Sequence, residues 1–109
     1  MKFLPKIEEI ILLSIWKLQD NAYGTTIIDQ VEKDTGSSWV SGSVYSALAR
    51  LKKNKYISIV KTEKAPDNRG RPRIYYVLTA SGQQKLTGAQ KINKRMWEGI
   101  PHFEKRFDS

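Results

Sequence analysis

The sequence predicts a mainly α domain with one small β-hairpin, closed by a C-terminal helix. Three observations lead there. Before residue 55, apolar residues recur at helical spacing in three separate stretches. Two runs rich in β-branched and aromatic residues, about 56–64 and 73–79, bracket the turn-forming "APDNRGRP". A threonine, Thr79, then stands at the head of one more helical stripe. With 109 residues the chain has enough for one modest core and an extra element, here a domain over 1–79 and a C-terminal segment over 80–109.

The elements follow in order. "PKIEEIILLSIWKLQ" reads as a helix from about Lys6 to Gln19. Pro5 suits its start, and Glu8 and Glu9 complement the dipole there. Ile7, Ile10, Ile11, Leu13, Ile15 and Leu18 cover more than one stripe, with Leu12 and Trp16 added. A surface helix needs only one apolar stripe, so this one is expected to bury two faces, one in its own core and one in a partner. After "DNAYG" a second helix runs from about Thr25 to Asp34, with Ile27, Ile28 and Val31 inward and Gly36 as its stop.

"SSWV" offers a short strand at Trp39 and Val40, and Trp39 reads as core. Ser41 is an N-cap candidate for a third helix, which with its cap covers about 41–54. Val44, Leu48 and Leu51 face the core by their spacing, which puts Ser43, Ser46, Ala47 and Arg50 on the other side. That side is small and polar, with one long base, and lets another object approach closely. The hairpin spans about 56–79. The last helix runs from Ala80 to Trp97 with Leu86, Ala89, Ile92 or Asn93, Met96 and Trp97 as its stripe. Gly82, Gly88 and Gly99 weaken it by roughly 1 kcal/mol each relative to Ala, so it needs something to lie on. The tail from Pro101 reads as irregular.

Composition narrows the function. There is no cysteine, so neither disulfides nor thiolate metal sites arise. The longest apolar run, "IILLSIW", is far below the ~20 residues that span a bilayer. No charged-then-apolar leader opens the chain, and a soluble, cytoplasmic protein is expected. His102 is the one histidine. It cannot build a metal site or a triad alone, and no carboxylate pair is placed for acid–base work. Neither a cofactor nor an enzymatic activity is expected.

The net charge is +8, and its distribution says more than its size. Residues 41–78 hold nine bases and two acids, whereas residues 1–40 are net −2. Charge concentrated this way fits a polyanion-binding face. Helix, helix, short strand, helix, hairpin, helix is the order of a winged helix-turn-helix, whose third helix reads DNA and whose hairpin is the wing. Arg69, Arg71 and Arg73 then belong to a wing that meets phosphates or enters a minor groove, both suited to guanidinium donors.

Three segments also carry a family resemblance: "AYGTTIIDQVEKDTG", "SGSVYSALARLKKNKYI" and "RGRPRIYYVLTASG". With the apolar first helix they cover about residues 6–83, and the chain resembles the PadR-family transcriptional regulators. The resemblance implies a homodimer that reads a palindromic operator, commonly as a repressor and sometimes as an activator. It also implies that the C-terminal helix packs against the partner's first helix, making it a dimerisation helix. Some members bind aromatic drugs or phenolic acids between the subunits, which makes a small aromatic effector a candidate partner. Small drug-binding members carry a tryptophan earlier in the last helix. Here that region reads "KINKR", and the tryptophan comes about one helical turn later, at Trp97.

The candidate DNA contacts are Ser41, Ser43, Tyr45, Ser46 and Arg50 on the third helix and Lys53, beside Lys52 and Lys55, at its end. The wing adds Arg69, Arg71 and Arg73. Trp16 and Trp97 are candidates for the dimer interface or a ligand site. The alternative reading is a winged-helix module used for protein contact or for non-specific nucleic-acid binding. The polar, low-charge start of the third helix favours base edges over phosphate alone.

Overall fold

The first helix is the centre of the fold. In the computed structural model, which describes residues 3–64 and 72–100, helix α1 (Lys6–Leu18) packs on each of the other three helices and on the second strand of the hairpin. Ile11, Leu12 and Ile15 are fully buried on it. Around them close Ile27 and Val31 of α2 (Gly24–Thr35), Val44, Ala47, Leu48 and Leu51 of α3 (Ser41–Lys53), and Ile57 and Leu78 of the hairpin. Each such side chain contributes about 1.5–3 kcal/mol by leaving water.

Local chemistry sets the element ends. A single 3-10 turn, Gln19–Asn21, links α1 to α2. At the start of α2 the Tyr23 N–H donates to Thr26 Oγ1 at 2.9 Å, and that hydroxyl donates to the Asn21 carbonyl at 2.6 Å. Gly36 closes α2 as the sequence predicts, at φ 69, with its N–H on the Glu32 carbonyl. Helix α3 begins differently from expectation. Val40 holds the cap position in an extended conformation without a side-chain bond, and Ser41 is the first helical residue. After α3, Lys55 takes φ 63, a left-handed conformation rare for a side-chain-bearing residue, as the Tyr56 N–H reaches back to the Leu51 carbonyl.

Strands β1 (Ile57–Glu63) and β2 (Arg73–Leu78) pair antiparallel, with Ile57 opposite Leu78 and Glu63 opposite Arg73. A bulge between Ile59 and Lys61 shifts the register. The expected strand at Trp39 and Val40 does not form. The Trp39 N–H is taken by the Glu32 carboxylate at 2.8 Å and its indole N–H by Thr35 Oγ1 at 3.0 Å, so local side chains replace a strand partner. Trp39 ends half-buried against the core's edge. The hairpin's extra neighbour comes from Ala22 and Tyr23: Tyr23 bridges Tyr75, and the Tyr76 N–H donates to the Ala22 carbonyl at 2.9 Å.

Helix α4 (Ala80–Trp97) follows at once, and Thr79 Oγ1 accepts from the Gly82 N–H at 3.0 Å as a cap should. Gly82 has a role the sequence reading missed. A Cβ there would collide with the Tyr56 carbonyl oxygen, so glycine lets α4 lie directly on the root of the hairpin.

Candidate nucleic-acid interface

Val44, Ala47, Leu48 and Leu51 anchor α3 in the core. At 100° per residue its opposite side is therefore Gly42, Ser46, Ala49 and Lys53. Ser43 and Arg50 flank that strip on one side, Ser41, Tyr45 and Lys52 on the other, and all are exposed. Ala47, expected on this face, is buried instead. Gly42 and Ala49 take its place, and the four buried positions would have located them had the wheel been centred on Ala47 as well. Nothing lies within 4 Å of where a Cβ on Gly42 would stand, so the start of the helix is open to close approach.

Tyr45 and Arg50 are each engaged from behind. The Tyr45 hydroxyl lies over Gly24, at the start of α2, where a Cβ would collide with it. Tyr76 faces the same neighbourhood. Burial, and to a lesser degree Tyr45, raises its phenol above the usual tyrosine range. The Arg50 Nε donates to Glu8 Oε2 at 3.2 Å. The arginine side chain is half exposed, while the carboxylate it meets is almost wholly buried. Ser41, Ser43 and Ser46 are exposed along the first half of α3, and Lys52 and Lys53 are exposed at its end.

The outer half of the described wing carries a ladder of rings and cations. Lys61 Nζ sits 4.3 Å from the Tyr75 centroid, the Tyr75 and Tyr23 rings are 5.1 Å apart, and the Arg73 guanidinium lies 4.9 Å from the Tyr23 centroid. Arg73 thus supports the wing against the start of α2. Lys61 also meets Glu63 at 3.1 Å, and that hydrogen bond raises the lysine's affinity for its proton. Arg69 and Arg71 lie outside the described residues.

On the far side of the molecule, α1 and α4 enclose two adjoining grooves. One, of about 780 Å³, is lined by Phe3, Leu4, Tyr56, Ile92 and Met96 among others. The second, of about 470 Å³, includes Leu13, Trp16, Leu78 and Leu86. Glu9 and Asn93 line both, and their hydrogen bond, Asn93 Nδ2 to Glu9 Oε2 at 2.9 Å, forms the waist between them. Trp97 lines a separate hollow with Gln90 and Lys94. That hollow meets the second groove, which Trp16 lines, at Gln90 and Asn93. Among the described residues no side-chain cluster is fit to hold a metal ion, and no helix is long and apolar enough to cross a membrane.

Three core helices, a hairpin seated on the third and an exposed, small-residue face on that third helix define a winged helix-turn-helix regulator. A sequence profile of the transcriptional regulator PadR-like family matches residues 12–88, and the chain belongs to that family, whose members are regulators rather than enzymes. A PadR-like transcription factor from Bacteroides fragilis is 30% identical, with 89% of this chain and 88% of that one covered at a TM-score of 0.72. A PadR-like transcriptional regulator from Bacillus cereus is 26% identical, with coverage of 83% and 82% and a TM-score of 0.65. RosR of H. salinarum, at 17% identity, covers 94% of this chain and 86% of its own length at 0.68 and shares the fold. No curated protein matches the chain.

Proposed function

We propose that the chain is a sequence-reading, DNA-binding repressor of the cytoplasm that works as a homodimer. Its α3 enters the major groove, and its hairpin lies as a wing along backbone or minor groove. The observation that carries this reading is the solvent face of α3. Gly42, Ser43, Ser46 and Ala49 are exposed and uncharged, and the face turns basic only from Arg50 onward, with Lys52 and Lys53. A surface that only held phosphate would have no use for so many short, neutral side chains at its front. Occupying an operator is enough to repress, and that needs no further surface on the regulator.

The dimer rests on a second region. Trp16 is 52% exposed, Met96 69% and Trp97 58%, with Leu13 and Ile100 also in solvent. Leu13, Trp16 and Met96 line the α1–α4 grooves, and with Trp97 and Ile100 they supply the apolar area that a second chain would cover. A planar aromatic effector would lie at this junction, where the exposed rings of Trp16 and Trp97 are available to stack on it.

The test is selection of duplexes from a random-sequence pool by the full-length protein. The expected product is a palindrome whose half-sites are about one helical turn, ~34 Å, apart. Ser46→Ala should then cost ~1–3 kcal/mol on the selected duplex and much less on scrambled DNA. With about nine phosphates neutralised per dimer, the log–log salt slope should be roughly −8. Equal affinity for selected and scrambled duplexes, or a slope near −2, would favour the protein-contact module instead.

A further inference from the structure

Glu8 and Glu9 stand in the first turn of α1, where carboxylates ordinarily sit in water and complement the helix dipole. Here they are only 5% and 8% exposed. A buried carboxylate is costly unless it is bonded, and these two are bonded to different helices. Glu8 Oε2 takes the Arg50 Nε of α3, and Glu9 Oε2 takes the Asn93 Nδ2 of α4, with Lys6 Nζ 3.7 Å from the same oxygen. Neighbours on a helix point about 100° apart, which is how adjacent residues address two elements at once.

Helix α4 needs such a tie. Gly82 is its one buried residue, and Thr79 and Gly82 fix it at its root on the hairpin. Asn93 lies eleven residues further on, about 16 Å along the axis. A helix held only at its root can pivot, and apolar contact alone lets it slide. A hydrogen bond to one buried carboxylate selects one angle. We propose that Glu8 and Glu9 are positioning residues for DNA reading. The pair locks the reading helix and the dimerisation helix to the same turn of α1, and so sets the separation of the two α3 helices in the dimer. This rests on the dimeric reading proposed above.

The chain has no cysteine, so Lys52→Cys on exposed α3 takes a spin label at a single place in each subunit. Electron–electron double resonance on the full-length, DNA-free dimer should give one narrow label-to-label distance. Asn93→Ala should broaden that distribution, and so should Glu8→Met, which removes the acceptors while keeping the volume. Glu9→Asn combined with Asn93→Glu restores the bond in reverse and should narrow it again. On selected duplexes the unlabelled Asn93→Ala protein should lose, several-fold, the preference for the native half-site spacing over one base pair more or less. Its affinity for a lone half-site should stay as it was, a split that a merely less stable protein would not show. Distributions as narrow as wild type in both single variants, or a wild-type chain that sediments as a monomer, would overturn the proposal. Uniform wild-type affinity for every duplex would overturn the regulator reading instead, and the distance measurement would still decide on the lock.

Discussion

Helices α1 and α4 are both long and both carry apolar stripes, yet they do different work. In α1, Ile11, Leu12 and Ile15 are sealed between α2, α3 and the hairpin. In α4 only Gly82 is buried, and its apolar end stands in solvent. Apolar content therefore does not say which helix carries the fold's stability. What matters is how many elements meet on it, and α1 meets the other three helices and β2. The stripe on α4 is complete as a pattern but incomplete as a contact, which is what the proposed dimer would complete.

The largest expected effect lies on α1. Ile11→Ala should cost about 2–5 kcal/mol, because a fully enclosed site cannot collapse around the loss. Urea unfolding at fixed protein concentration measures it, and a cost under about 1 kcal/mol would erase the contrast with α4. Next comes the outer end of α4. Met96→Ser with Trp97→Ser should weaken association by about 2 kcal/mol or more. Sedimentation would shift toward monomer, while far-ultraviolet circular dichroism of the chain stays the same. Loss of helix in the monomer would mean that α4 draws more support from its own chain than its burial implies.

Within α4 the two glycines should respond with opposite signs. Gly82→Ala drives a methyl into the Tyr56 carbonyl, backbone that cannot step aside, for about 1–3 kcal/mol of destabilisation. At Gly88 nothing lies within reach of a new Cβ, and Gly88→Ala should stabilise by roughly 0.8–1 kcal/mol. Thermal melts of both would show whether the root of α4 is held as tightly as the geometry says.

The smallest effect is expected where α1 meets α2. The Lys17 Nζ lies 2.8 Å from Asp34 Oδ2, and this hydrogen bond, followed by one from Gln30, lowers the Asp34 pKa. A depressed folded pKa means that the pair stabilises above the ordinary aspartate pKa and that this is lost as pH falls through the lowered value. Asp34→Asn should therefore trail wild type slightly at neutral pH and match it in stronger acid. Because the pair is exposed, salt should shrink the difference. A salt-independent gap would mark the pair as part of the core.

Much of this protein follows from local patterns. The limits of α1, α2 and α4, the two hairpin strands and Thr79 as a cap are readable because helical spacing, β-branched runs and capping chemistry act over a few residues. Ala80–Trp97 is the range the pattern predicts and the range the structure shows. The basic window and the three family segments were equally plain, since charge and motif spacing need no fold to be seen. The candidate interface was only partly legible. Ser43 and Ser46 are exposed on α3 as predicted, while Ala47 proved to be core, and Gly42 and Ala49 appear only when the helix is oriented by all four residues it buries.

The sequence by itself determined the four helices and the hairpin, their order, and that positive charge gathers on the third helix and the hairpin. Tertiary structure decided everything that depends on two distant segments meeting. It turned Glu8 and Glu9 from dipole-matching acids into buried ties to α3 and α4, and Gly82 from a weak point into a contact. The reason is common to all of them. Burial and hydrogen-bond partnership are properties of pairs far apart along the chain, and no window of a single sequence contains both members.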